Sequence, residues 1–202
     1  MPQLFKTQRF LWVLALAPLL ILSGCGSDDL APVQPPGPDL TTVQGAILAL
    51  EDFYSRQKST DAIALLGNSY QFVPALPDSI PFLESSETSW PIDVEKDILN
   101  TLLVPEKVTW LDQVLLEVNV EQITTPSEGI AVVDADVELG LLVGVDTWRK
   151  ARSPMQLTYA LDGNGNYLLI EEHEFLRDDF DPNLDVTIGE QKVSILPPNY
   201  AP

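Results

Sequence analysis

The chain changes its hydrophobic period from helical to alternating near its midpoint. After Thr41, apolar residues recur every three or four positions with charged residues between them; the apolar set is Val43, Ala46, Ile47, Leu50, Phe53 and Tyr54. This spacing predicts an amphipathic helix over about 42–57. Thr41 and Gln44 have the spacing of a capping box, so we expect the helix to begin there.

Three further elements and an insertion are predicted before the midpoint. A short helix restarts at Ser59 and is expected to end at Gly67, and a brief alternating segment then predicts a strand. Residues 74–91 contain four prolines and are predicted to be irregular. Asp93 can cap a third helix over 94–103, whose apolar side consists of Val94, Ile98, Leu99, Leu102 and Leu103.

The second half of the chain alternates strictly between apolar and polar residues. Four alternating runs cover about 114–121, 131–143, 155–161 and 166–176. Alternation of this kind is typical of an antiparallel sheet with one buried and one solvated face. Residues 162–166, between the last two strands, are rich in types that tolerate positive φ and predict a hairpin turn. Helices followed by an antiparallel meander predict an α+β fold.

The order of these elements resembles the nuclear transport factor 2-like fold. The last predicted strand, NYLLIEEHEF at 166–175, is also similar to the last strand of that family: an aromatic residue, apolar residues, then acids and a histidine before a final aromatic. For residues 42–176 the resemblance implies N-terminal helices packed on a curved antiparallel sheet that forms a cone. Members of the family include isomerases, dehydratases, ligand-binding modules and scaffolds, so the fold does not select an activity.

The N-terminus has the pattern of a secretory signal peptide. Lys6 and Arg9 precede 13 apolar residues at 10–22, too few for a membrane span, which needs about 20. The following tetrapeptide, LSGC, resembles the lipobox of bacterial lipoproteins, in which the cysteine is acylated and becomes the first mature residue. Cys25 is the only cysteine of the chain, and the resemblance predicts that it carries the lipid anchor. A soluble secreted protein with a chance cysteine is the alternative.

The predicted organisation has four parts. A signal peptide covers 1–24, the lipidated cysteine and a proline-rich tether cover 25–40, an α+β domain covers 41–177, and an acidic, proline-containing tail covers 178–202. The tether favours extended polyproline II, at about 3.1 Å per residue, and can hold the domain away from the bilayer.

The residues after Cys25 bear on location within a bacterial cell envelope. Gly26 stands where some bacteria read an aspartate as a signal for retention in the inner membrane, and SDD at 27–29 resembles the acidic tag that certain bacteria use for export to the outer surface. Both rules depend on the organism. They favour the outer membrane or the cell surface over the inner membrane.

The charge balance restricts the partners. Removal of residues 1–24 takes away two of the 11 Lys and Arg residues and none of the 30 acids, so the formal charge changes from −19 to −21. A surface of this charge disfavours nucleic acid, whose phosphates are bound by Lys and Arg, and keeps the domain off anionic lipid headgroups. The expected partners are the membrane, through the lipid, and an unidentified protein or small molecule. An exposed apolar sheet face would favour a homodimer.

Metal, nucleophile and cofactor chemistry find little support in the sequence. One histidine and one lipidated cysteine cannot supply a zinc site, and neither a nucleophile elbow nor a glycine-rich phosphate loop is present, so no cofactor is predicted. Asp162, Asn164 and Asn166 occupy positions 1, 3 and 5 of an EF-hand-like calcium loop. Tyr167 and His173 stand where that loop needs Gly and Glu, so a plain hairpin turn is preferred. A second oxygen-rich stretch is interpreted as a solvated acidic tail and comprises Asp178, Asp179, Asp181 and Asp185.

Glu171 and His173 are the candidate catalytic pair. They share one side of the last predicted strand, and Glu172 and Glu174 share the other. Both sides begin apolar and turn acidic, so alternation does not decide which side faces the helix. If Glu171 and His173 face inward, the carboxylate favours the charged imidazole and poises it for proton transfer. If they face outward, His173 is an ordinary surface residue.

The leading interpretation is a lipid-anchored, non-catalytic domain of the cell envelope that binds a ligand or another protein. One alternative is an enzyme with an acid/base pocket in the cone, similar to isomerases or dehydratases. Another is a scaffold whose cone is filled. The volume and polarity of the interior separate these classes, because catalysis needs a pocket in which acid/base groups reach the substrate.

Overall fold

In the computed structural model, which describes residues 37–198, 200 and 202, helices dominate the first half and strands the second. The elements in chain order are α1 (Val43–Ser55), α2 (Ser59–Ala64), β1 (Leu66–Val73), a 3-10 turn (Pro77–Ser79), β2 (Trp90–Pro91), α3 (Ile92–Leu102), β3 (Leu111–Ser127), β4 (Ile130–Val143), β5 (Thr147–Leu161), β6 (Tyr167–Glu174) and α4 (Ile188–Val193). The predicted α+β fold is confirmed. Within the described range, no helix combines the length and the hydropathy that crossing a membrane requires.

A single six-stranded sheet carries the domain, in the order β2-β1-β6-β5-β4-β3. Strands β3 to β6 form the predicted antiparallel meander, and β1 joins it by pairing with β6 in parallel. The strand predicted over 155–161 begins earlier, at Thr147, because its first residues carry polar side chains that hide the alternation. Residues 74–91 are mostly irregular, as predicted, and end in the two-residue strand β2.

Helix α1 begins one residue later than predicted. Thr42 is the N-cap, and its Oγ1 accepts a hydrogen bond from the Gly45 amide at 3.0 Å. Thr41 instead donates from its hydroxyl to the Asp39 carboxylate at 2.6 Å. The helix start packs tightly on the preceding turn, because a Cβ at Gly45 would collide with the Asp39 carbonyl. Glycine is therefore required at this first turn.

Two further boundaries differ from the prediction. Helix α2 ends at Ala64, and Gly67 lies in β1 instead of ending the helix. The reason is long-range: the Leu169 amide of β6 donates to the Leu65 carbonyl at 2.9 Å, which draws the chain into the sheet. Helix α3 begins at Ile92 with Pro91 as its N-cap, so Asp93 lies in the first turn and is not the cap.

The inner face of the sheet and the helices form one core. Val133, Val137, Leu139 and Leu141 of β4 are buried, as the alternation of this strand predicts for one of its two sides. Leu50 of α1 and Val137 line the same small cavity, so the helix packs against this face. Phe53, which belongs to the apolar set of the predicted first helix, is only half-buried.

The segment predicted as a tail is partly integrated into the domain. Helix α4 starts with a capping box formed by Thr187 and Glu190, and its Ile188, Gln191 and Lys192 are buried. Helix α4 therefore packs on the domain, although it lies beyond the boundary predicted at 177. Residues 188–195 contain few large apolar side chains, and their burial depends on contacts with the sheet.

We predict that Leu139→Ala lowers the free energy of unfolding by about 2–5 kcal/mol, because it leaves a cavity in a close-packed core. Leu139 is 0% exposed. Urea unfolding followed by circular dichroism measures the change. Leu48→Ala is the matched control, since Leu48 is 53% exposed and its truncation should change stability by no more than about 0.5 kcal/mol. Equal effects of the two variants would mean that the β4 register is wrong.

Candidate functional site

The interior of the domain contains three buried charges brought together from three elements. The Lys192 Nζ of α4 lies 2.8 Å from Glu95 Oε1 of α3 and 2.8 Å from Glu172 Oε2 of β6. Their exposed fractions are 1%, 1% and 6% for Lys192, Glu95 and Glu172. We call these three residues the buried charge cluster. Burial of such groups is costly unless they are paired and hydrogen-bonded.

Aromatic residues complete the surroundings of the buried charge cluster. The Trp90 indole donates to Glu95 Oε2 at 2.9 Å. Lys192 Nζ lies 4.3 Å from the centre of the Phe72 ring, which itself stacks on Trp90 at 4.2 Å. The ammonium therefore has two carboxylates and one aromatic face around it, and both favour its charged form.

A β-bulge in β6 selects which residues point into the interior. Tyr159 of β5 pairs with Leu169 and the neighbouring Thr158 pairs with Glu171, so Ile170 is an extra residue on β6. A bulge of this kind reverses the facing of the residues beyond it. Leu169 is buried before the bulge, and Glu172 and Glu174 are buried after it.

The structure puts Glu171 and His173 on the outer side of β6, where both are half-buried. Glu171 accepts a hydrogen bond from the Gln71 side chain at 2.6 Å, and the His173 ring stacks on Phe175 at 4.4 Å. Neither residue lines the interior cavity. The arrangement in which this pair faces the cone interior is therefore wrong, and the bulge at Ile170 is the reason.

The buried carboxylate of Glu174 holds the start of α4. Its Oε1 accepts from the Ser153 hydroxyl at 2.7 Å and from the Ile188 amide at 2.5 Å. Its Oε2 accepts from the amides of Gly189 at 3.1 Å and Ala75 at 3.3 Å. Four donors compensate the cost of burying this carboxylate, so α4 is fixed in place at its first turn.

Burial dominates the titration of the interior groups. Desolvation raises the pKa of Glu172 against the opposing effect of Lys192, and two carboxylates that share one ammonium reinforce the rise. Burial alone would lower the pKa of Lys192, but Glu172 and Glu95 raise it above its ordinary value. Burial also raises the pKa of Tyr54, Tyr70 and Tyr159, so these phenols are neutral near pH 7.

The empty volume left in the interior is about what a single water molecule needs. The cavity has a volume of about 10 Å³, near the lower limit for holding a single water. Its lining includes Leu50, Tyr54, Leu116, Val118, Val137, Met155, Leu157, Glu172, Ile188 and Lys192. The Tyr159 hydroxyl is also buried and has no hydrogen-bond partner among the described residues, whereas the buried Tyr70 hydroxyl lies close enough to Glu172 to lower the pKa of that carboxyl. The cone is therefore filled by its own side chains, mainly because α4 closes it.

The candidate calcium loop is organised as a hairpin turn. Asp162 Oδ1 accepts from the amides of Asn164 at 2.8 Å and Asn166 at 2.9 Å, and these hydrogen bonds lower the pKa of Asp162. The same oxygen is thus occupied in stabilising the turn. Within residues 37–198, no group of three or more His, Cys, Asp or Glu side chains is placed to hold a metal ion.

The predicted acidic tail is locally ordered around a cation. Arg177 lies 3.1 Å from both Asp179 and Asp185, and Asp185 also accepts from the Asp181 amide at 2.9 Å. Asp181 in turn accepts from the backbone and side chain of Asn183, both at 2.9 Å. These contacts explain the clustered acids as loop-forming residues.

Sequence reasoning missed the buried charge cluster, although a signal was present. Glu95 lies on the apolar side of its helix, next to Val94 and one turn from Ile98. Lys192 lies one helical turn from both Ile188 and Ile195, and so on their apolar side. Charged residues in apolar positions are rare unless they are paired, so each could have prompted a search for the other. Cys25, the predicted lipid attachment site, lies outside the described residues.

Comparisons with known proteins identify the fold but no family by sequence. Neither a protein-family model nor a curated protein matches this chain. A conserved protein of Planctomyces limnophilus aligns with a TM-score of 0.51 at 7% identity, covering 66% of this chain and 91% of that protein. A putative scytalone dehydratase of Novosphingobium aromaticivorans aligns with a TM-score of 0.50 at 13% identity, covering 73% of this chain and 91% of that protein.

The neighbours also include a nuclear transport factor 2-like superfamily protein of Salmonella enterica. Its TM-score is 0.47 at 9% identity, covering 70% of this chain and 92% of that protein. At such identities the likenesses concern the fold alone. The predicted fold class, N-terminal helices packed on a curved antiparallel sheet, is confirmed by the observed topology and by the first two of these structures.

We predict that Lys192→Met destabilises the protein by about 3–5 kcal/mol, because it leaves two buried carboxylates without their cation. Thermal and urea unfolding measure the loss. Lys58→Met removes an exposed lysine and should change stability by no more than about 0.5 kcal/mol. Adding Glu172→Gln to Lys192→Met should recover part of the stability, since one uncompensated charge is removed. A double variant no more stable than Lys192→Met would argue against charge as the cause.

Proposed function

We propose that this chain is a lipid-anchored protein of the bacterial cell envelope whose domain binds a partner on its outer surface and catalyses no reaction. The observation that carries the non-catalytic part is the filled interior. Lys192, Glu95 and Glu172 occupy the centre of the cone and leave a cavity of only about 10 Å³. An enzyme of this fold would need space there for a substrate beside its acid and base groups.

Many contacts hold α4 over the interior of the cone. They support the proposal that the cone stays closed. Glu174 holds the first turn of α4 with its carboxylate. Gln191 donates from Nε2 to the Leu139 carbonyl at 2.6 Å and to the Arg149 carbonyl at 3.2 Å. Moving α4 away would break these hydrogen bonds and leave Glu95 and Glu172 without Lys192. Partner binding is therefore expected on the exterior.

The anchor is proposed from the lipobox-like tetrapeptide that ends at Cys25. The chain that follows enters the domain beside the start of β6, where the Tyr167 amide donates to the Leu40 carbonyl at 2.8 Å. The 162–166 turn lies at this same end, whereas the turn between β4 and β5 lies at the opposite end of the strands.

An isomerase- or dehydratase-like enzyme is the second candidate, and one observation favours it. The interior contains Glu172, whose pKa is raised, and the Tyr159 hydroxyl lacks a hydrogen-bond partner among the described residues. Such features are common in active sites. In this alternative α4 would act as a lid that opens to admit a substrate.

We predict that benzene, a small neutral probe, does not enter the wild-type interior. The measurement is the NMR shift of the Met155 methyl group, which lines the cavity, during titration with benzene. Leu157→Ala is the positive control, because it enlarges the apolar part of the same cavity and benzene binds in apolar cavities. Saturable binding by the wild type would favour the enzyme with a mobile α4.

We predict that Cys25→Ser abolishes the lipid anchor, because a serine hydroxyl cannot form the thioether to diacylglycerol. Cells fed a labelled fatty acid should label the wild type only, and the variant should leave the membrane fraction. Ser27→Ala lies outside the tetrapeptide and should keep both label and location. Labelling of Cys25→Ser would overturn the lipoprotein assignment without affecting the conclusions about the interior.

A further inference from the structure

A surface groove lies between α4 and the start of β5. Its volume is about 380 Å³, and it is lined by Leu141, Arg149, Lys150, Val186, Gln191 and Ser194. The groove belongs to the end of the sheet opposite Leu40, since Leu40 contacts the start of β6 and this start pairs with the end of β5. It is separate from the interior cavity, which shares none of these residues.

Arg149 is the distinctive residue of this groove. Along β5, Lys150 pairs with Glu138 and Arg152 pairs with Asp136. Arg149 forms no ion pair among the residues that the structure describes, although the chain has 30 acids against 11 Lys and Arg residues. Its guanidinium therefore offers charged N–H donors to a ligand in a strongly acidic protein.

Two acidic residues could in principle neutralise Arg149: one is near it in the sequence, and the other lies on α4. Neither of them forms an ion pair with it. Asp146, in the turn before β5, lies beyond ion-pair distance. Glu190 of α4 uses its carboxylate to accept from the Thr187 amide at 2.9 Å in the capping box. The positive charge of the groove is thus left for an external group.

The surroundings of Arg149 combine the charge with apolar surface. Its Cζ lies 5.9 Å from the centre of the Trp110 ring, and Trp110 is 40% exposed. Val186, 45% exposed, lies on the wall, and the buried Leu141 contributes to the floor. Gln191 fixes the backbone at Arg149 by its hydrogen bond to the carbonyl, so the groove is preorganised.

We propose that this groove binds a small amphipathic anion, a carboxylate or phosphate attached to an apolar group. Arg149 binds the acid group, and Val186 and Leu141 contact the apolar part, while Trp110 lies beside Arg149 and reports on it. Lys150 also lines the groove but pairs with Glu138, so Arg149 supplies the uncompensated charge, and with the apolar lining it matches such a ligand in charge and in hydrophobicity. The net negative charge of the chain keeps this end away from anionic bilayers, so the ligand is a free molecule. The proposal rests on the proposed function in one respect: both place ligand binding on the outer surface of the domain.

The test uses residues 25–202 with Cys25→Ser, so that no acyl chain competes for the groove. Hexanoate and hexyl phosphate are titrated at constant ionic strength, with hexanol as the neutral analogue, and tryptophan emission is recorded. Trp110→Phe identifies the reporting ring. We expect saturable binding of either anion, at least tenfold weaker binding of hexanol, and at least tenfold loss of affinity in Arg149→Gln.

Arg152→Gln is the matched control, because it removes a cation from the same strand outside the groove. It should bind like the wild type, and the thermal midpoint of Arg149→Gln should equal that of the wild type. Equal affinity of Arg149→Gln and wild type, or absence of saturable binding of both anions, would overturn the proposal. Either result leaves the lipid anchor and the filled interior untouched, since those are measured by fatty-acid labelling and benzene titration.

Discussion

The pairing of one lysine with two buried carboxylates is the interaction on which the domain depends. Lys192 joins α4 to α3 through Glu95 and to β6 through Glu172, so three elements distant in sequence meet at one ammonium. None of the three charges could remain buried without the others. The cluster therefore determines at once where α4 lies, that the cone is closed, and that its centre is polar instead of empty.

The same arrangement separates the fold from the activity that the fold often supports. A cone-shaped sheet offers an interior suited to a ligand, but here the last helix of the domain occupies it. On the outer side of the sheet, two negative charges of β4 are compensated, because Glu138 and Asp136 each pair with a cation of β5. Arg149 departs from this pattern, and it does so at the end of the domain farthest from Leu40.

The periodicity of the sequence was sufficient to predict the sheet, but it was insufficient to predict which residues meet in the interior. The alternation of β4 predicted its buried face, because one residue in two contacts the core along an unbroken strand. On β6 the same reasoning could not choose a face, since the bulge at Ile170 places inward residues on both alternating sets. The position of α4 depends on contacts between Glu174 and the backbone of Ile188 and Gly189, which no local pattern encodes.

The parallel pairing of β1 with β6 has a consequence for how the chain acquires its structure. These strands are separated by most of the domain, and the neutralising Lys192 follows both. During synthesis the N-terminal part of the chain emerges from the ribosome first. Glu95 and Glu172 therefore cannot be buried favourably until almost the whole chain, including Lys192, has emerged. Long-range closure of this type slows folding. The domain should accordingly remain open while it is being made, and complete its collapse in one late, cooperative step.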